Sequence, residues 1–225
     1  MRKTTLLLCS AAFLFTASSA HAGIKGSVSY KGKATAKAID MSSDPKCKKL
    51  SPDAKSNDLV VNGGKVQDVF VYVKNPPKGK YKAPKTKAKL DQKGCRYIPK
   101  VLGVMKKQNI EIINSDPTLH NVHAFAKRGE FNQAMPKQGQ KITKKFKKAQ
   151  VMVPIKCDVH SWMEAYIGVM EHPFFATSGS DGSFEIPGDG LKDGEYEVVF
   201  WHKTLGEKTA KVKVAGGNGA LDFGY

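Results

Sequence analysis

Arginine is scarce in this chain of 225 residues, although lysine is abundant. Only three arginines occur, Arg2, Arg96 and Arg128, whereas lysine and arginine together number 37 against 20 acidic residues. Nucleic-acid-binding surfaces favour the planar guanidinium group for phosphate and base contacts, so we expect no nucleic-acid partner. The net charge of +17 then indicates either a lysine-rich solubilising surface or an attraction to an acidic protein.

Long hydrophobic runs are also lacking. The longest, residues 6–15, is shorter than the ~20 residues that cross a bilayer. It follows Arg2 and Lys3 and precedes "AHA" (20–22), the pattern of a secretory signal peptide. We therefore expect cleavage after Ala22 and export to the periplasm or the exterior, without a transmembrane segment. Residues 1–22 carry two basic and no acidic side chains, so the exported chain has a net charge of +15.

No segment has the apolar spacing of a long amphipathic helix. Short alternating or β-branched runs separated by Gly, Pro, Asn and Asp recur instead, which is typical of an all-β chain. The lysine- and proline-rich residues 75–89 are predicted to be an exposed connector. The clearest predicted strands are residues 26–30, 66–74, 109–113, 120–126, 151–157, 165–171, 182–186, 195–201 and 209–214.

The C-terminal strands resemble a known family. "SDGSFEIPGDGLKDGEYEVVFW" (180–201) contains Asp-Gly-x-Phe followed by Gly-x-Tyr, a pattern similar to that of carboxypeptidase regulatory-like, or transthyretin-like, β-sandwiches. The opening strands of that family resemble "GSVSY" (26–30) and "VFVYV" (69–73), near the other end of the chain. This resemblance implies a β-sandwich assembled from both ends of the sequence.

The stretch "VMVPIKCDVHSWMEAY" (151–166) places three metal-binding side chains at even steps. Cys157, His160 and Met163 are each three residues apart. Because side chains alternate along a strand, every second residue from Val151 to Cys157 is predicted to share a buried face, which points the sulfur inward. A thiolate, an imidazole and a thioether form a soft ligand set that suits copper far better than calcium or magnesium.

A histidine upstream completes a recognisable pattern. "HNV" (120–122), followed by Cys-x-x-His-x-x-Met, resembles the cupredoxins, and the ligand loop has the spacing found in amicyanins. The resemblance implies a Greek-key β-sandwich with one type 1 (blue) copper ion. His120, Cys157 and His160 would be the equatorial ligands and Met163 the weak axial ligand. It also implies that Asn121 lies beside these ligands and joins their loops by hydrogen bonds.

Together the two resemblances predict an all-β fold of two units. Residues 23–90 and 173–225 are expected to form the smaller transthyretin-like sandwich. Residues 91–172 are expected to form the cupredoxin-like unit, inserted in the first or packed beside it. The alternative is one continuous sandwich with long decorations.

Each predicted ligand also has a simpler interpretation. Cys157 can be a buried apolar residue or half of a disulfide, His160 a polar loop residue, and Met163 ordinary packing. Zinc can be held by one cysteine and two histidines, although the thioether argues against it. Glu164 can supply an oxygen ligand if the loop turns differently. The prediction of copper therefore requires that all four side chains lie close together in the fold.

The cysteine count after residue 22 is odd, which requires a free or metal-bound thiol in an oxidising compartment. Three pairings of Cys47, Cys95 and Cys157 are possible. We expect a Cys47–Cys95 disulfide, because Cys157 is needed as a thiolate.

The remaining histidines are few. Five follow residue 22 and no His-Cys-His sequence occurs, so a trinuclear copper cluster is excluded. His123 lies three positions after His120 on a predicted strand, and we expect it on the opposite face, outside the ligand set. His172 and His202 are assigned no role.

These patterns predict an exported copper protein that shuttles single electrons between redox partners. Its lysine-rich surface is expected to bind an acidic partner, such as a c-type cytochrome or an oxidoreductase, in a salt-sensitive manner. The alternative is a copper storage or delivery protein, or a cell-surface module without an electron-transfer role. No hydrolase or cysteine-protease motif occurs, so we expect no enzymatic activity.

Overall fold

The computed structural model describes residues 22–225, so the predicted signal peptide (1–22) lies outside the described part except for Ala22. This part consists of strands with one short helix, α1 (Pro45–Leu50), which confirms the all-β class. None of its helices is long and apolar enough to cross a membrane. The strands are β1 (Gly23–Ser29), β2 (Val61–Asn62), β3 (Lys65–Val66), β4 (Phe70–Val73), β5 (Ala88–Gln92), β6 (Tyr97–Ile98), β7 (Val101–Met105), β8 (Ile110–Asn114), β9 (His120–Ala124), β10 (Phe131–Met135), β11 (Lys141–Lys144), β12 (Gln150–Lys156), β13 (Glu164–Met170), β14 (Phe175–Thr177), β15 (Ser183–Pro187), β16 (Gly194–His202), β17 (Gly206–Val214), β18 (Asn218–Ala220) and β19 (Phe223–Gly224).

The predicted strands are present with shifted ends, and one of them is divided. Residues 66–74 are divided between β3 and β4. Asp68 between them has a left-handed backbone (φ 62°), and this conformation interrupts a strand. The predicted end of the connector 75–89 was wrong, because residues 88 and 89 belong to β5. That strand pairs in parallel with β8, and such a long-range pairing leaves little local signal in the sequence.

The strands form four sheets. The ligand sheet has the order β10-β9-β12-β13-β7, and the facing sheet has the order β11-β8-β5-β6. The third sheet centres on β1, which pairs with β15, β3, β18 and β19. The fourth sheet has the order β14-β4-β16-β17.

The ligand sheet and the facing sheet enclose the central core. Val122, Ile155 and Ile167 from the first pack with Leu90 and Ile112 from the second, and all five are buried. Burial of each such side chain stabilises the fold by roughly 1.5–3 kcal/mol. This sandwich supplies a rigid support at the end of β12, where the predicted ligand loop begins.

A second core lies between the third and fourth sheets. Ile24 and Ile186 from the third pack with Val71, Val198 and Phe200 from the fourth. Side chains alternate at the end of β17, where Val212 and Val214 are buried while Lys211 and Lys213 are exposed.

A glycine pair allows the Phe70 ring of β4 to pack against the ligand sheet, in a third cluster of buried residues. Gly103 of β7 and Gly168 of β13 face each other in a parallel pairing. The Phe70 ring lies so close that a Cβ on Gly168 would fall 2.5 Å from it, and a Cβ on Gly103 would fall 2.6 Å from Phe175. Glycine is therefore required at both positions for this contact.

Candidate metal centre

The strand that leads to Cys157 follows the predicted alternation only in its second half. Val153 and Ile155 are fully buried and Cys157 is 4% exposed. Val151 was predicted on the same buried face, and this was wrong, because it is 39% exposed. A register shift occurs between residues 150 and 153, where Met152 has a φ of 55° and turns into the core instead.

The loop after β12 is closed by two backbone hydrogen bonds. The Met163 N–H donates to the His160 carbonyl (2.9 Å), and the Cys157 N–H donates to the Met163 carbonyl (3.2 Å). The loop is therefore a tight turn that leads directly into β13. It buries both His160 and Met163 in the same end of the central core as Cys157.

His120 and Asn121 begin β9, the neighbour of β12 in the ligand sheet. His120 is fully buried. The Asn121 Oδ1 accepts a hydrogen bond from the Asp158 N–H (2.7 Å) and lies 3.3 Å from the Cys157 Sγ. This amide thus joins the strand that carries His120 to the loop that carries the sulfur.

Three donor atoms converge at this point. The Nδ1 atoms of His120 and His160 are 3.0 Å apart, and the Cys157 Sγ lies 3.8 Å from the His160 Nδ1. One ligand atom of each residue lies within 4.8 Å of the others. The structure therefore brings together the donor atoms of three of the four predicted ligands, and Met163 is buried in the central core that also contains Cys157.

A carboxylate holds the opposite nitrogen of each imidazole. The Asp116 Oδ2 lies 2.9 Å from the His120 Nε2, and the Asp44 Oδ2 lies 3.0 Å from the His160 Nε2. A carboxylate at Nε2 keeps the proton there, which leaves Nδ1 available to a metal ion and fixes the orientation of the ring. Neither acid was predicted from the sequence. Asp116 lies four residues before His120, which is a weak local signal, whereas Asp44 is 116 positions from His160.

The predicted disulfide Cys47–Cys95 is present, while Cys157 is buried and not disulfide-bonded. The disulfide also organises the two carboxylates. The Cys47 N–H donates to Asp44, which caps α1, and the Cys95 N–H donates to Asp116 (2.7 Å). Each half-cystine therefore anchors the acid that holds one imidazole.

The electrostatics of the site favour a thiolate. Burial raises the pKa of the Cys157 thiol, but hydrogen bonds from His120 and His160 outweigh this effect and lower the pKa to about 6. Burial lowers the pKa of His120, whereas the hydrogen bond with Asp116 and the nearby sulfur raise it to about 9. The sulfur therefore ionises readily and can bind a soft cation. Because the raised pKa keeps His120 protonated at neutral pH, a metal ion must displace a proton from this ring when it binds.

The other candidate residues lie outside this group. The His123 Nδ1 lies 3.1 Å from Asp158, and its ring stacks on the exposed Phe125. The Glu164 carboxylate, the alternative oxygen ligand, accepts a hydrogen bond from the Tyr166 hydroxyl (2.7 Å) and pairs with Lys203.

His172 and His202 are buried, and each accepts a hydrogen bond from a backbone N–H two residues later. Burial lowers the pKa of each to about 4. Both are therefore neutral structural side chains.

The residues present fit a copper ion. Two imidazole nitrogens and one cysteine sulfur face each other in a buried position, and this is a soft ligand set. The carboxylates of Asp116 and Asp44 contact the Nε2 atoms, on the opposite side of each ring from the Nδ1 atoms that face each other.

Neither a known family description nor a curated protein sequence matches the chain. Similar solved structures are cupredoxins and a related enzyme. A Cu-containing nitrite reductase from Thermus scotoductus SA-01 has 21% identity and a TM-score of 0.34 over 43% of this chain, which spans only 25% of that enzyme. An oxidised amicyanin variant has 20% identity and a TM-score of 0.34 over 44% of this chain and 97% of its own. A purple cupredoxin from Nitrosopumilus maritimus has 18% identity and a TM-score of 0.32 over 36% of this chain and 98% of its own.

The predicted transthyretin-like unit finds no support in these comparisons and stays a prediction.

Proposed function

We propose that this chain binds one copper ion, which the Nδ1 atoms of His120 and His160 and the sulfur of Cys157 would hold, with Met163 as a weaker fourth ligand. When bound, the copper supplies one-electron redox chemistry. The observation that carries the proposal is the convergence of both Nδ1 atoms on a buried thiol while carboxylates hold both Nε2 atoms.

Rigid ligands favour electron transfer over copper delivery. His120, His160 and Cys157 are 0–4% exposed. The carboxylates of Asp116 and Asp44 accept hydrogen bonds from the two imidazoles, and the Asn121 Oδ1 lies against the sulfur. A fixed ligand set limits reorganisation between the two oxidation states, and burial slows exchange of the metal. Storage or delivery would instead require access for a chelator. The protein is therefore proposed to be an exported electron carrier whose positive surface binds an acidic redox partner.

A matched pair of histidine variants tests the choice of ligand on β9. His120→Ala should abolish the intense visible band of the copper-loaded protein, because it removes an equatorial nitrogen. His123→Ala should leave the spectrum nearly unchanged, since this ring lies at the surface against Asp158 and Phe125. Optical titration with copper(II) measures both. Bleaching by His123→Ala together with a normal spectrum for His120→Ala would reverse the assignment.

Replacing Met163 with leucine should retain both copper and colour. The axial thioether bond is weak and tunes the metal more than it holds it, so its loss is expected to raise the reduction potential. Leucine keeps the apolar volume at this fully buried position. Redox titration of the two proteins measures the difference. A colourless Met163→Leu protein would show that the thioether is instead required for binding.

A further inference from the structure

The outer edge of His160 is covered by the chain itself. Its Nε2 contacts Asp44 (3.0 Å) and lies 3.6 Å from the Cys47 Sγ, and its ring packs 5.0 Å from the Trp162 ring, centre to centre. Asp44 and Cys47 belong to the cap and the inner face of α1. A partner that exchanges electrons through His160 therefore meets α1 first.

The outer face of α1 is positively charged. The helix carries Lys46, Lys48 and Lys49 and no acidic residue, and all three lysines are exposed. Asp44, at the cap, directs its carboxylate to the helix N–H groups, Thr118 and His160 rather than to the outer surface. Leu50 adds an apolar side chain that is 42% exposed. Three cations beside one exposed aliphatic side chain suit an acidic protein surface with an apolar centre.

We propose that α1 is the docking face for an acidic redox protein, and that the electron passes between partner and metal centre by way of Cys47 and His160. The 3.6 Å contact between the sulfur of Cys47 and the imidazole gives a short path from the exposed helix to the ligand. This inference rests on the proposed function, but the docking surface can be tested without copper.

The docking test uses metal-free protein and hexacyanochromate(III), a redox-inert paramagnetic anion. We expect it to broaden the amide NMR signals of residues 46–50, and we expect Lys48→Glu with Lys49→Glu to remove this broadening. The control variant, Lys80→Glu with Lys82→Glu, makes the same change in net charge on the exposed connector and should leave the broadening at α1 intact. Unbroadened α1 signals in the unmodified protein would overturn the docking face.

The electron route is tested with reduced, copper-loaded protein and hexacyanoferrate(III), which takes one electron and becomes hexacyanoferrate(II) as the protein is oxidised. The Lys48/Lys49 variant should react roughly tenfold more slowly at low salt, because steering of the anion is lost. The connector variant should be affected much less. Lys48→Gln with Lys49→Gln should give an intermediate rate. A rate that follows the charge in this way would show that the effect comes from charge and not from damage to the helix.

The outcomes separate the two claims. A protein without copper colour contradicts the proposed function, while the NMR experiment still decides whether α1 binds an acidic probe. Normal colour with equal rates for the α1 and connector variants contradicts the electron route through α1 and leaves the copper site in place.

Discussion

Cys157→Ser is expected to abolish the visible colour of the copper-loaded protein entirely. The sulfur lies in a buried group with two imidazole nitrogens, and its pKa of about 6 makes it a thiolate at neutral pH. A serine hydroxyl is neither soft nor readily ionised, so the thiolate-to-copper charge-transfer band has no donor in the variant. The optical spectrum after addition of copper(II) measures the loss.

The control for this variant is Ser161→Ala, in the same loop at an exposed position. It should keep the colour, because Ser161 supplies no contact to the donor atoms. Thermal unfolding of metal-free Cys157→Ser checks that the fold persists. A folded Cys157→Ser protein that stays coloured would refute the copper assignment.

Removal of the disulfide should lower the free energy of unfolding by about 4 kcal/mol. Cys47 and Cys95 are separated by 48 positions, and closing a loop of this size restricts the unfolded chain by about that amount in the chain-entropy model. Denaturant unfolding of metal-free Cys47→Ala with Cys95→Ala, compared with the unmodified protein, measures the loss. Metal-free samples are required because bound copper adds its own stabilisation.

The same double variant should also loosen the metal centre, because the disulfide ties together the two backbone segments whose N–H groups bind Asp44 and Asp116. The unmodified protein treated with a phosphine reductant is the matched comparison, and it should lose a similar amount of stability. A loss below about 1 kcal/mol in both samples would mean that the disulfide does not constrain the unfolded chain.

Patterns in the sequence predicted the strands, the soft ligand set near Cys157 and the disulfide. The period of two indicated the strands, and the three-residue steps from Cys157 to Met163 indicated a set of soft metal ligands. The odd number of cysteines, with one thiol reserved for metal, indicated the Cys47–Cys95 pairing that the structure shows.

Long-range arrangements could not be predicted in this way. Asp44 reaches His160 across 116 positions, and only the fold of α1 over the loop brings them together. The exposure of Val151 follows from the backbone of Met152, whose positive φ has no signature in a run of apolar residues. The strand β7 pairs in parallel with β13, far along the chain, and was missed for the same reason as β5.

Optical and EPR titration of the metal-free protein with copper(II) decides whether each chain binds one thiolate-ligated copper ion. We expect an intense visible charge-transfer band that saturates at one copper per chain, with the EPR signal of a single mononuclear site. Copper binding that gives only weak bands without thiolate character, or saturation at more than one ion, would contradict this expectation.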